Sequence, residues 1–154
     1  MSRLITPDGS AFATGEAPLR TMHAHVRDRL SRLSIQIAVE RVEISAVVDT
    51  GGAYLILQPE LGAQLGLDGA GRVQRDRLMI RGITFAGAVH RIPVTPLATA
   101  GESLTFEATA FVPELGDGEV WPLPSYLGWQ GCLDRIRFAV DPADEVVYFG
   151  ALAA

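Results

Sequence analysis

The sequence predicts a mostly β domain, barrel-like or sandwich-like, with two short helices. Three observations carry that prediction: strict apolar alternation over residues 33–39 and 42–48, many short apolar runs separated by Gly and Pro turns, and no strand–helix–strand alternation. With 154 residues, the chain is long enough to bury a sizeable core as one domain without disulfides or a structural metal.

The first 31 residues read as an N-terminal extension. Pro7-Asp8-Gly9 is a turn signal that suggests a hairpin, and Gly15 and Pro18 interrupt any long element. The domain proper is expected over residues 32–154. Leu33, Ile35, Ile37 and Val39 alternate with polar or small residues, which gives a strand with one buried face. Glu40-Arg41 leaves room for a tight connection, and Val42, Ile44, Ala46 and Val48 then alternate with Glu43, Ser45 and Val47. The pair predicts a hairpin that runs directly into Asp49-Thr50-Gly51-Gly52.

After that turn, Ala53-Tyr54-Leu55-Ile56-Leu57 is too short for a helix and reads as a buried strand. Pro59 suits a first helical position, and Leu61 and Leu65 fall on one face of the short helix that follows, with Gly66 at its end. Further strands are predicted over 78–80, 88–94 and 104–112. Residues 127–135 read as a strand end running into a second short helix. Residues 138–140 and 146–149 flank a Pro142-Ala143-Asp144 turn and form a terminal hairpin.

The formal charge of −5 and the scattered arginines leave no basic stripe to neutralise a phosphate backbone, so nucleic acid is not an expected partner. No segment approaches the length of a membrane span, and the first twenty residues lack the apolar stretch of a signal peptide. A single cysteine, Cys132, makes no internal disulfide and is compatible with a reducing compartment. A cytoplasmic protein with no membrane partner is therefore expected.

The segment that carries chemistry is Val47-Val48-Asp49-Thr50-Gly51-Gly52. An apolar strand delivers a carboxylate into a tight turn, where its desolvation must be offset by hydrogen bonds or a partner. The glycines let main-chain N–H groups approach that carboxylate, and Thr50 supplies a hydroxyl that can hold the loop. As a bare tripeptide, Asp-Thr-Gly is also an ordinary turn.

Its context adds more. Residues 33–150 resemble the retropepsin-like aspartic proteases, the family of retroviral proteases and their bacterial relatives. An apolar hairpin leads into Asp49-Thr50-Gly51, a hairpin candidate spans Met79 to Ile92, and Tyr126-Leu127-Gly128 precedes Trp129-Gln130-Gly131-Cys132-Leu133. Three positions depart from the family pattern. Gly52 stands where Ala or Ser is usual, Tyr126 is bulkier than usual, and Cys132 replaces an aromatic.

The resemblance implies a closed acid-protease-like β-barrel forming one subunit of a homodimer. It implies an aspartic endopeptidase acting on a peptide or protein substrate without a cofactor. Asp49, Thr50 and Gly51 would be the catalytic motif. Gly52, Leu127 and Gly128 would support it, and Gly82, Ile83, Thr84 and Phe85 would belong to a substrate-covering flap. Two other readings stay open: a catalytically silent domain of the same fold used for dimerisation or peptide binding, and a small β-barrel carrier of an apolar ligand.

Other candidates have simpler readings. His23 and His25 would share a face if on a strand, but no third ligand with clear spacing accompanies them. Cys132 reads as a small buried hydrophobe, and Trp121 and Trp129 as core or interface anchors. Asp134 and Arg137 read as a surface ion pair on the second helix, and Asp141 as a turn residue.

Overall fold

The computed structural model describes residues 4–25, 27–67 and 71–152, so the expected extension over residues 1–31 lies partly outside the described residues. Twelve strands are described: β1 (Gly15–Pro18), β2 (Arg20–His23), β3 (Ser31–Val39), β4 (Val42–Ala53), β5 (Leu55–Ile56), β6 (Gln74–Ile80), β7 (Ile83–Pro96), β8 (Ala100–Gly101), β9 (Phe106–Pro113), β10 (Ser125–Gln130), β11 (Ile136–Asp141) and β12 (Val146–Ala151). One helix, α1 (Pro59–Gln64), follows β5, and the second predicted helix is a single 3₁₀ turn, Leu133–Arg135. The mostly β class read from the sequence holds.

The strands form two sheets. The larger has the order β2-β3-β4-β10-β5-β9-β7-β6, and β3 also pairs with β7, so the pairings return on themselves. The smaller has the order β11-β12-β1-β8. The N-terminal segment therefore contributes to both: β1 pairs with β12 and β8, while β2 pairs with β3. The turn at Pro7-Asp8-Gly9 is also present, closed by an isolated bridge between Ile5 and Ala11.

The predicted alternation explains the main core. Ile35, Ile37 and Val39 of β3 meet Leu55, Leu57, Val94, Leu127 and Phe149 in one buried cluster. Burying each Leu or Ile fully contributes about 1.5–3 kcal/mol before conformational entropy is subtracted. A second cluster gathers Val47, Ile56, Ile80, Val89, Phe111, Trp121, Leu123 and Tyr126. Val47 thus departs from its polar-face neighbours Glu43 and Ser45, because beyond Ser45 that face of β4 is covered by the second cluster.

The β3–β4 hairpin closes through Glu40 and Arg41, with Val39 opposite Val42 and Glu40 in the left-handed region at φ 54°. Helix α1 begins at Pro59 as the sequence predicts, and Leu61 is buried against the main core. Its entry is fastened to β10: the Gln58 N–H donates to Ser125 Oγ at 3.1 Å, and Gln58 Nε2 donates to the Leu123 carbonyl at 3.2 Å.

The expected Asp134–Arg137 ion pair does not form. Arg137 lies in β11, past the 3₁₀ turn, and donates to the Ala11 carbonyl at 3.0 Å with its guanidinium over the Phe12 ring. Asp134 instead accepts the Gly131 N–H at 2.9 Å. Asp141 does act as a turn residue, accepting from the N–H groups of Ala143 and Asp144. Among the described residues, no helix is long and apolar enough to cross a membrane.

Candidate functional site

Two strands of opposite polarity hold the Asp49 loop. β4 carries the chain outward to Asp49-Thr50-Gly51-Gly52, and β5 brings it back. β10 runs between them, parallel to β4 and antiparallel to β5. In this arrangement Gly128 lies opposite Asp49, and Leu127 lies opposite both Val48 and Leu55.

The return to β5 is made by Tyr54, which adopts φ 65°. A left-handed backbone is uncommon for a bulky residue and needs surrounding structure to hold it. Hydrogen bonds supply that hold: the Tyr54 N–H donates to the Gln130 carbonyl, and the Tyr54 carbonyl accepts from Gly128 N–H, both at 2.8 Å. The Tyr54 hydroxyl donates to Asp76 Oδ2 at 3.2 Å, tying the loop to β6. Burial first, and the Asp76 carboxylate second, raise the Tyr54 phenol above its ordinary pKa.

Gly128 is required by this close approach. A Cβ there would fall on the Tyr54 carbonyl oxygen and stand 2.7 Å from the Ala53 carbonyl carbon. Leu127 is buried in the main core and pairs with Val48 on one side and Leu55 on the other.

At the head of the loop, the Asp49 side chain is exposed and accepts the Gly51 N–H on Oδ1 at 3.2 Å. A Cβ on Gly52 would stand 3.0 Å from Asp49 Oδ2, so Gly52 leaves room around the carboxylate. Thr50 is exposed beside it, and its hydroxyl makes no hydrogen bond with the described residues.

Asp49, Gly51 and Gly52 line a cleft of about 580 Å³. Its opposite wall is the hairpin of β6 and β7, through Leu78, Met79, Ile80 and Arg81. Arg32 and Tyr126 complete the polar lining. The hairpin turns at Arg81-Gly82, with φ 49° and 82°, the backbone signature of a tight two-residue turn. Of the flap residues read from the sequence, Gly82 is in the turn, while Ile83, Thr84 and Phe85 begin β7. Ile83 and Phe85 face a second cleft, of about 560 Å³, shared with Leu115, Val120 and Leu123. Ile80 and Arg81 border both clefts.

The hairpin tip is fastened to the segment before β3. Arg81 Nη2 donates to Asp28 Oδ2 at 3.2 Å, and Arg32 Nε donates to the same oxygen at 3.2 Å. The Asp28 side chain is only 9% exposed and also accepts the Leu30 N–H. That N–H, followed by the two guanidiniums, holds the Asp28 pKa below the usual carboxylate value against the opposing effect of burial. Asp28 and Arg32 lie four residues apart, but the sequence offered no local signal that Arg81, 53 residues from Asp28, would join them. Just behind the tip the hairpin packs through Phe85, edge-on to Trp121 with ring centroids 5.1 Å apart.

The remaining sequence candidates lie elsewhere. Cys132 is fully buried in the main core, and burial pushes its thiol pKa up to about 12. Trp121 is a core anchor and Trp129 is exposed. His23 is exposed and His25 half-buried, and no group of three metal-ligating side chains is present among the described residues.

No protein-family model and no curated protein sequence matches the chain. Among solved structures, it is similar to a retropepsin-like aspartic protease from Rickettsia conorii, with a TM-score of 0.53 and 23% identity over 90% of this chain and 94% of that one. It is also similar to the retroviral protease-like domain of Ddi1 from Leishmania major, with a TM-score of 0.48 and 16% identity over 81% of this chain and 97% of that one. The likeness to the Rickettsia enzyme extends over almost the whole of both chains, and with it the chain is assigned the retropepsin-like fold.

Proposed function

We propose that the chain is an aspartic endopeptidase whose active site forms when two copies bring their Asp49 carboxylates together. The observation that carries this reading is the position of Asp49: exposed near the end of β4, on the wall of a cleft also lined by the β6–β7 hairpin. Peptide hydrolysis by this route needs one carboxylate to take a proton from water and a second, protonated, to donate to the scissile carbonyl oxygen. Each chain supplies one Asp-Thr-Gly motif. Two such carboxylates held close cannot both ionise, so the pair shares a proton and provides both roles.

Thr50 and Gly51 would then hold the geometry, with the Thr50 hydroxyl available to the other copy. An isologous two-fold pair is the simplest closed assembly that places identical residues face to face. An extended peptide would lie in the cleft as an added strand beneath the hairpin, its alternate side chains entering the clefts on either side of Arg81.

The carrier reading is disfavoured by the interior of the larger sheet, which is filled by Ile37, Leu55, Leu57, Val94 and Leu127. The test is cleavage of a mixed unstructured peptide library at acidic and neutral pH by the wild type and Asp49→Asn, with oligomeric state measured in parallel. Cleavage by a dimer, abolished by the substitution, is expected. A well-folded dimer that cleaves nothing under any condition would give the molecule a binding or dimerisation role instead.

A further inference from the structure

The cleft beside Asp49 holds a polar group that the hydrolytic chemistry does not use. Tyr126 is 5% exposed and lines this cleft, and its buried O–H finds no acceptor among the described residues, the Arg81 guanidinium beside it being itself a donor. Buried hydroxyls are nearly always paired, so an orphaned one in the wall of a cleft points to an acceptor brought by a ligand. The charges around it agree. Burial raises the phenol pKa, the nearby Arg81 guanidinium pulls it back, Asp49 raises it and Arg32 lowers it, so all four groups share one electrostatic environment.

The charges in that environment balance in the single chain, two guanidiniums against two carboxylates, and tip toward positive when the Asp49 dyad shares a proton. Arg32 and Arg81 both line the cleft and both lean on a single carboxylate oxygen of Asp28. Asp49 on the facing wall supplies the other negative charge, and in a dyad sharing one proton its share falls to about half. A phenolic O–H and a guanidinium N–H are both donors, and a carboxylate offers two acceptor oxygens to receive them. A side-chain amide would instead turn N–H donors toward one of them.

We propose that Tyr126 and Arg81 form a carboxylate-reading subsite that selects an acidic side chain, Glu or Asp, in the peptide substrate. This rests on the peptidase reading above and deepens it. Both groups are preorganised, the phenol by burial and the guanidinium by its contact with Asp28, so little ordering is needed when the substrate enters. The second cleft, bounded by Ile83, Phe85 and Leu123 on the other side of Arg81, lacks this pairing and presents an apolar surface. Arg81 thus separates a cleft suited to an acidic side chain from one suited to an apolar side chain.

The experiment uses the full chain and matched peptide pairs that differ only in Glu against Gln, placed in turn at each position around the scissile bond. At pH 6 the Glu side chain is ionised, since its ordinary pKa is about 4.3. At one position, kcat/KM is expected to favour Glu by about tenfold, with the preference expressed in KM. The ratio is expected to fall toward one in Tyr126→Phe, which removes a single oxygen and keeps the ring, and in Arg81→Gln. Equal rates for Glu and Gln at every position, or a preference that survives both substitutions, would overturn the subsite.

If the wild type cleaves neither member of any pair, the peptidase reading fails and equilibrium binding decides the subsite on its own. Fluorescently labelled Glu and Gln peptides are then titrated with the wild type and Tyr126→Phe. Tighter binding of the Glu peptide, lost in the variant, supports the subsite, and equal or undetectable binding overturns it.

Discussion

Gly128 lies directly opposite Asp49 in the parallel ladder of β4 and β10, and the backbone between Ala53 and Tyr54 closes over it so tightly that no side chain fits. The atoms a methyl group would meet are main-chain atoms, fixed by the 2.8 Å hydrogen bond from Gly128 N–H to the Tyr54 carbonyl. Gly128→Ala is therefore expected to destabilise the fold by about 1–3 kcal/mol, the usual range for overpacking, and to displace the Asp49 loop. Urea unfolding measures the first effect and peptide cleavage the second.

Gly52→Ala is expected to behave differently. Its new methyl would meet the Asp49 carboxylate at 3.0–3.3 Å, and that group is an exposed side chain able to give way. Stability should stay within about 0.5 kcal/mol of the wild type. A larger loss in thermal or urea unfolding would show that the carboxylate is held more rigidly than its single Gly51 N–H contact implies.

The Asp28–Arg81 contact should make the hairpin tip sensitive to acid. Asp28 has a depressed pKa in the fold, so its contribution is present above the unfolded value of about 3.9 and is lost as pH falls through the lower folded value. Below about pH 4, amide protection in residues 79–86 is expected to fall. Asp28→Asn should lower it at neutral pH as well, and this variant separates the pair from Glu119 and Asp49, the other carboxylates lining the two clefts. Unchanged protection in Asp28→Asn would mean that packing of Phe85 on Trp121 is sufficient to hold the hairpin.

Cys132 should be chemically silent in the native state. The thiolate is the reactive form, and burial pushes this thiol up to about 12. At pH 8, reaction with a thiol-specific chromogenic reagent is expected only on unfolding, and rapid modification of the native protein would contradict the buried placement.

What could be read in the sequence was local. The β3–β4 hairpin followed from alternation and the start of α1 from Pro59, whereas the turn expected at Asp49-Thr50-Gly51-Gly52 is instead the end of β4, and the chain bends at Tyr54. Tertiary pairing fixed the rest. β1 and β2 carry little apolar alternation of their own, because their partners are β12, β8 and β3. The Asp134–Arg137 pairing assumed that the helix continues to Arg137. It ends at Arg135, and the chain extends into β11, where Arg137 reaches the Ala11 carbonyl. The left-handed backbone of Tyr54 and Arg81 carried no glycine or asparagine signal, since hydrogen bonds to β10 hold the first and a tight turn holds the second. The polar lining of the Asp49 cleft, Arg32, Arg81 and Tyr126, is assembled from three distant stretches of chain.

The shared Asp49 dyad is tested most directly by mixing. Wild type and Asp49→Asn are combined in equal amounts at fixed total concentration, allowed to exchange subunits, and assayed for peptide cleavage against wild type alone. If catalysis needs both carboxylates, only dimers of two wild-type subunits are active, and the rate falls to about a quarter. A rate of about half would show that each chain works independently of its partner, and would contradict an active site built from two copies of Asp49.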